Sequence, residues 1–138
     1  KEITDMMTKK SGLLAVSEIS GDVRDVCIAE AKGNHKAHVA REMLLRSVKR
    51  FIGAYIAELG QVDAIVFTAG IGENDIELRE KVMDNFEFMG ITIDKKKNDC
   101  RGKEVEITGK DSKVRVFIIP TQEELMIARD TKAIVEAL

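Results

Sequence analysis

The chain has 138 residues, 44% of them apolar, with a single Pro and no low-complexity tract, enough for one domain with a packed core. Its 22 basic and 24 acidic residues leave a net charge of −2, and Trp is absent. The lack of a basic excess or an aromatic platform argues against a nucleic-acid binder. No apolar run approaches the roughly 20 residues that a membrane-spanning helix needs. Cys27 and Cys100 stand far apart without a CxxC partner, as expected of thiols in a reduced, cytoplasmic protein.

Residues 3–10 predict a short helix ended by Ser11-Gly12. Leu13-Leu14-Ala15-Val16-Ser17, apolar and bounded by turn formers, predicts a short strand or extended segment. Asp22 is placed to cap a helix over 23–31, with Gly33 ending it. Asn34 then caps a long amphipathic helix that stops at Gly60. Its stripe of Ala40, Leu44, Val48, Ile52, Tyr55 and Leu59 predicts one buried face, with Arg41, Arg46, Lys49 and Arg50 mainly elsewhere. Ala64 to Ala69 is a continuous apolar run with β-branched residues and predicts a buried strand. A Gly-rich turn and a helix over about 75–86 follow. Residues 91–93 and 104–107 predict short strands, and Lys95-Lys96-Lys97 a solvated turn. Val114 to Ile119 predicts a second buried strand, stopped by Pro120. Thr121 then caps a last helix, with Glu124 completing a capping box. Strands alternating with helices indicate an α/β architecture, and the whole of 1–138 reads as a single domain.

Three places carry candidate chemistry. Gly70-Ile71-Gly72-Glu73-Asn74 follows a predicted buried strand and precedes a helix, where α/β proteins bind ligands. The glycines allow close backbone approach and positive φ, and free amides at a helix start suit an anion or a nucleotide edge. A plain strand-to-helix turn has the same spacing. A dinucleotide site is a further alternative, with Asp94 as the ribose-binding acid, although Asp75 stands where a third glycine belongs. Asp22-Val23-Arg24 offers a guanidinium for nucleotide contact or base stacking, or is simply a helix cap with its first turn. Glu123, in the first turn of the last helix, suits either the helix dipole or a Mg²⁺ ion beside phosphates. His35 and His38 lie three apart but lack an evident third ligand for a metal.

Lys9-Lys10-Ser11-Gly12-Leu13-Leu14 with Ser20-Gly21-Asp22-Val23-Arg24-Asp25, then Phe67-Thr68-Ala69-Gly70-Ile71-Gly72-Glu73-Asn74, then Ile119-Pro120-Thr121-Gln122-Glu123-Glu124-Leu125 with Ile127-Ala128-Arg129, resemble conserved blocks of the acetate and propionate kinases, in the family's order. The resemblance implies the C-terminal portion of a ribonuclease-H-like domain of the sugar kinase, heat-shock ATPase and actin superfamily. It implies a parent that uses Mg²⁺ and ATP to phosphorylate a short carboxylate, giving acetyl phosphate and ADP. Asp22, Val23, Arg24, Gly70, Ile71, Gly72, Glu73 and Asn74 would line the nucleotide site, and Glu123 would be the Mg²⁺-associated carboxylate. The family's catalytic and phosphate-contacting residues precede this segment. No catalytic residue is therefore expected here, and the chain alone would be inactive, a non-catalytic nucleotide-binding or dimerisation module. The resemblance also implies a homodimer, and the long helix is a candidate either for that contact or for packing against an N-terminal domain. The pattern departs from the family at Ala15 and Glu18, where glycine is usual, and at Gly21, where Ser or Asn is usual.

Overall fold

The computed structural model describes residues 1–137, which form two compact units. One comprises Lys1–Val62 with Lys81–Asp84, and the other Asp63–Glu80 with the residues from Asn85 onward.

The first unit contains four helices: α1 (Glu2–Lys9), α2 (Gly12–Ser17), α3 (Val23–Ala31) and α4 (His35–Leu59). The segment expected as a strand or extended stretch is instead α2, a correction whose cause is packing. Leu13 and Val16 lie three apart on one helical face and pack on the core of Val26, Ala37 and Ala40, together with Ala29. The small side chains of Ala37 and Ala40 let the helix backbones approach closely. Glu18 ends α2 in the left-handed region at φ 58°. The resemblance leads to an expectation of glycine at this position, and a Cβ in this conformation costs about 1 kcal/mol.

Both predicted caps form. The Asp22 side chain accepts from the amide of Arg24, and Asn34 Oδ1 accepts from the amide of Ala37 at 3.0 Å. Gly33 turns at φ 85° between the two helices, and Gly60, at φ 69°, ends α4. The predicted buried stripe of α4 is only partly realised. Ala37, Ala40, Arg41 and Leu45 are buried, whereas Tyr55 and Leu59 are 61% and 68% exposed. Arg41 was expected on the solvated side, but its Nε lies 4.0 Å from Glu30 Oε2. His38 Nδ1 lies 2.8 Å from Glu30 Oε1. Glu30 thus lies beside two basic side chains, of which Arg41 is buried.

The second unit is built on a three-stranded sheet of order β1-β3-β2, from β1 (Ala64–Phe67), β2 (Val105–Glu106) and β3 (Arg115–Ile118). β1 and β3 are parallel with Ala64 opposite Arg115 and Phe67 opposite Ile118, and β2 is antiparallel to β3. The predicted strand over 91–93 is reduced to a single bridge between Ile93 and Thr108. β3 is central, and Val116 and Ile118 are fully buried. β1 is an edge strand, so the expectation that it is buried is corrected: only Phe67 is buried, and Val66 is 48% exposed. The remaining helices are α5 (Ala69–Asn74), α6 (Ile76–Met83), whose residues 81–83 fall in the first unit, α7 (Lys95–Asn98) and α8 (Glu123–Glu136), with a 3₁₀ turn at Glu87–Met89. Two expected turns are helical. The glycine motif is α5, and the lysine run opens α7 because Asp94 Oδ1 accepts from the amides of Lys96 and Lys97. No described helix is long and apolar enough to cross a membrane.

Replacing Asn34 with Ala removes the acceptor that satisfies an orphan amide at the start of α4. Urea unfolding of Asn34→Ala is expected to show a stability loss of about 1 kcal/mol.

Candidate functional site

Because β1 and β3 run parallel, their carboxyl ends emerge on the same edge of the sheet, where ligands of α/β proteins bind. The chain leaves β1 through Thr68 and β3 through Pro120-Thr121. The two threonine hydroxyls meet at 2.9 Å, and the Ala69 amide donates to Thr121 Oγ1 at 3.1 Å. The Thr121 amide donates to Glu73 Oε1 at 2.7 Å. Four residues thus tie the starts of α5 and α8 to each other. This knot corrects the expected capping box. Gln122 is the residue before α8, with no side-chain cap bond, because the Thr121 hydroxyl is directed to the β1–α5 connection instead.

α5 carries the glycine motif, and its geometry differs from the expectation that the glycines take positive φ. Ala69 is the residue in the left-handed region, at φ 58°, while Gly70 and Gly72 are not. Such a conformation is strained for a residue with a Cβ and persists only where the surroundings impose it; here the Thr121 hydroxyl holds the Ala69 amide. Gly72 is favoured for another reason: a Cβ there would lie 3.3 Å from the carbonyl carbon of Phe67, a tight contact with backbone. The missing side chain lets α5 fold back directly on the end of β1. Asn74 Nδ2 donates to the Gly70 carbonyl at 2.9 Å, closing the helix on itself. With the Glu73 and Asn74 side chains engaged in these internal bonds, α5 presents its backbone and the partly exposed Ile71.

A residue without a role in the sequence reading supports α5 from below. Arg79 is fully buried. Its Nη1 donates to the Gly72 carbonyl at 2.8 Å, its Nε to Asn98 Oδ1 at 2.6 Å, and its Nη2 to the carbonyls of Asn98 and Cys100 at 2.9 and 2.8 Å. Burial lowers the Arg79 pKa from its ordinary value, with nearby acidic groups opposing that effect. The sequence does carry a signal. Arg79 lies between Leu78 and Val82 in α6, a charge on an apolar stripe where solvent was to be excluded.

Glu123 opens α8, two residues beyond Thr121, and is exposed. Among the described residues its carboxylate makes no hydrogen bond or ion pair, unlike that of Glu73. No group of three or more His, Cys, Asp or Glu able to hold a metal occurs among them. One free carboxylate at a sheet edge fits Mg²⁺, which keeps most of its waters and takes one or two carboxylates together with phosphate oxygens. It does not fit a cation caged wholly by protein.

Asp22, Val23 and Arg24 belong to the first unit, at the start of α3. Arg24 Nη2 lies 2.6 Å from Asp22 Oδ2, and its Nε donates to the same carboxylate. Arg24 is largely exposed, and Asp22 holds it in a two-pronged pair. The dinucleotide alternative loses its acid, since Asp94 is occupied as the cap of α7.

The family model of the acetokinase family matches residues 1–129. The acetate kinase of Halothermothrix orenii is 53% identical over 137 residues, covering 99% of this chain and 34% of the relative. The crystal structure of Porphyromonas gingivalis acetate kinase superposes with a TM-score of 0.89 at 47% identity, covering 96% of this chain and 34% of that one. A propionate kinase from Francisella tularensis superposes at 0.81 with 38% identity, covering 92% of this chain and 32% of that one. The chain therefore spans about a third of the length of the relatives it matches. Its fold is the expected α/β fold of the sugar kinase, heat-shock ATPase and actin superfamily, in part.

The hydrogen bonds from the Arg24 side chain, then its backbone amide, hold Asp22 at a pKa of about 2, below its ordinary 3.8. A depressed folded-state pKa means that the pair's contribution to stability is complete above the ordinary value and is lost as pH falls through about 2. NMR titration of the Asp22 carboxyl carbon is expected to give that midpoint, and Arg24→Met is expected to return it toward 3.8.

Proposed function

Since the chain belongs to the acetokinase family, we propose that it is the nucleotide-binding C-terminal part of an acetate kinase, an enzyme that transfers the γ-phosphoryl of ATP to acetate. The observation that carries this reading is the carboxyl edge of β1 and β3. There α5 is drawn tightly onto β1 and an unengaged carboxylate, Glu123, opens α8. In this reading the Gly70–Asn74 backbone and Ile71 receive the adenosine end of ATP or ADP. Glu73 acts by fixing the Thr121 amide, and Asn74 by closing α5, rather than by touching the nucleotide. Asp22, Val23 and Arg24 contribute nucleotide contacts in this reading, with Asp22 holding the guanidinium in one orientation. Glu123 holds Mg²⁺, directly or through water, and the ion supplies charge neutralisation at the phosphates.

Phosphoryl transfer depends on groups that orient the acceptor and neutralise the transferring phosphoryl. Residues 1–138 contribute none of these in this reading, so the short carboxylate is bound by other parts of the full-length protein. The parent is proposed to be a cytoplasmic homodimer, with the exposed apolar face of α4, including Phe51, Tyr55 and Leu59, in the dimer contact or against the N-terminal domain. A propionate kinase is the second reading, favoured by the match to the Francisella tularensis structure.

Purified residues 1–138 are expected to bind ADP weakly in calorimetry and to form no acetyl phosphate from ATP and acetate in a hydroxamate assay. The full-length protein is expected to form it. Acetyl phosphate from the isolated chain would refute the division of labour, and a higher kcat/KM for propionate than for acetate in the full-length protein would favour the second reading.

A further inference from the structure

Arg79 lies outside the glycine motif, yet three of its four hydrogen bonds leave α6 for the Asn98–Cys100 segment and the fourth reaches α5. A six-residue helix such as α5 has few internal bonds, and the carbonyls of its last turn need partners from elsewhere. The Ile71 carbonyl accepts from the Asp75 amide, the Glu73 carbonyl from the Gly102 amide at 3.2 Å, and the Gly72 carbonyl from Arg79. The residues from Asn98 to Gly102 therefore form a backing for α5, joined to it directly by Gly102 and through the guanidinium by Asn98 and Cys100. The guanidinium is itself oriented. Asn98 Oδ1 accepts from its Nε, while Asn98 Nδ2 donates to the Ile76 carbonyl at 3.1 Å. Asn98, fully buried, thereby links the arginine to the first turn of its own helix.

We infer that Arg79 is a positioning residue for the nucleotide, holding the Gly72 carbonyl against the Asn98–Cys100 segment and so fixing α5 on the end of β1. The inference rests on the reading of α5 as the adenosine-binding element. The planar fork is what the site requires. Its nitrogens reach three carbonyls and one amide oxygen in fixed directions, whereas a lysine ammonium offers a single point of charge. Loss of one arm frees the Gly72 carbonyl, and on this side of α5 only the Gly102 amide then remains as a tie, while the Thr121 knot still holds the other side. Misplacement of a binding element by about 1 Å is enough to weaken productive binding by one or two orders of magnitude. Arg79 is fully buried and reaches the site only through α5, so the effect falls on the nucleotide that α5 is proposed to receive.

The test is Arg79→Lys in the full-length protein, with KM for ATP and for acetate and calorimetric ADP binding measured on the same preparations. The KM for ATP and the Kd for ADP are expected to rise on the order of tenfold, with no matching rise in the KM for acetate. Unchanged nucleotide constants, or equal rises in both KM values with a lowered Tm, would overturn the inference and leave Arg79 as a stability residue. If Arg79→Lys gives no folded protein, Asn98→Ala decides. It removes the oxygen that orients Nε, and a smaller rise confined to the nucleotide constants supports the inference, while no rise refutes it. Absence of saturable ADP binding by the unaltered protein would sink the reading of α5 and the inference with it. Normal ADP binding with an unaffected Arg79→Lys variant would sink the inference alone.

Discussion

A buried guanidinium hydrogen-bonded to neutral oxygens is the constraint on which the second unit depends. Arg79 donates to three backbone carbonyls and one side-chain amide among the described residues. A cation taken out of water is expensive unless its protons are satisfied, and each of these carbonyls would in turn cost about 1–3 kcal/mol if left bare. The arrangement is therefore mutual. The segment Asn98–Cys100 and the end of α5 supply partners to the arginine, and the arginine supplies donors to them. That reciprocity explains how a helix of six residues containing two glycines is held in one place.

The opposite side of α5 is fixed by hydroxyl and amide chemistry at the carboxyl ends of β1 and β3. Thr68, Thr121 and Glu73 exchange bonds with one another and with the Ala69 amide, holding Ala69 in a left-handed conformation that an L-residue otherwise avoids. With Gly72 against the Phe67 backbone, α5 is clamped from both ends. An element fixed in this way is a prearranged surface, and any ligand it took would need less ordering on binding. Glu123, exposed at the start of α8, adds a carboxylate to this edge.

The apolar surface of the chain fits its being about a third as long as the relatives it matches. Every described residue of α8 is exposed, including Leu125, Ile127, Ile134 and Val135, as are Phe51 and Tyr55 of α4. Apolar surface on this scale in a chain with a packed core marks faces built to be covered.

Features decided within a few residues were legible in the sequence. Asp22 and Asn34 cap their helices and Gly33 and Gly60 end them, as expected, and the runs at 64–69 and 114–119 each contain a strand. The glycine motif and Glu123 were also placed correctly at a strand's carboxyl edge, because the position of a motif relative to its strand is a local property. What tertiary structure decided is everything set by a distant partner. Leu13–Ser17 is helical because Val26, Ala37 and Ala40 offer a helix-shaped seat. β1 is half open because it lies at the edge of the sheet. The Thr121 hydroxyl leaves its own helix for an amide 52 residues away, and Arg79 is buried because carbonyls 7, 19 and 21 residues distant converge on it. Local propensity fixes caps and turns through bonds between near neighbours, whereas the choice of a hydrogen-bond partner far along the chain exists only once the chain has folded.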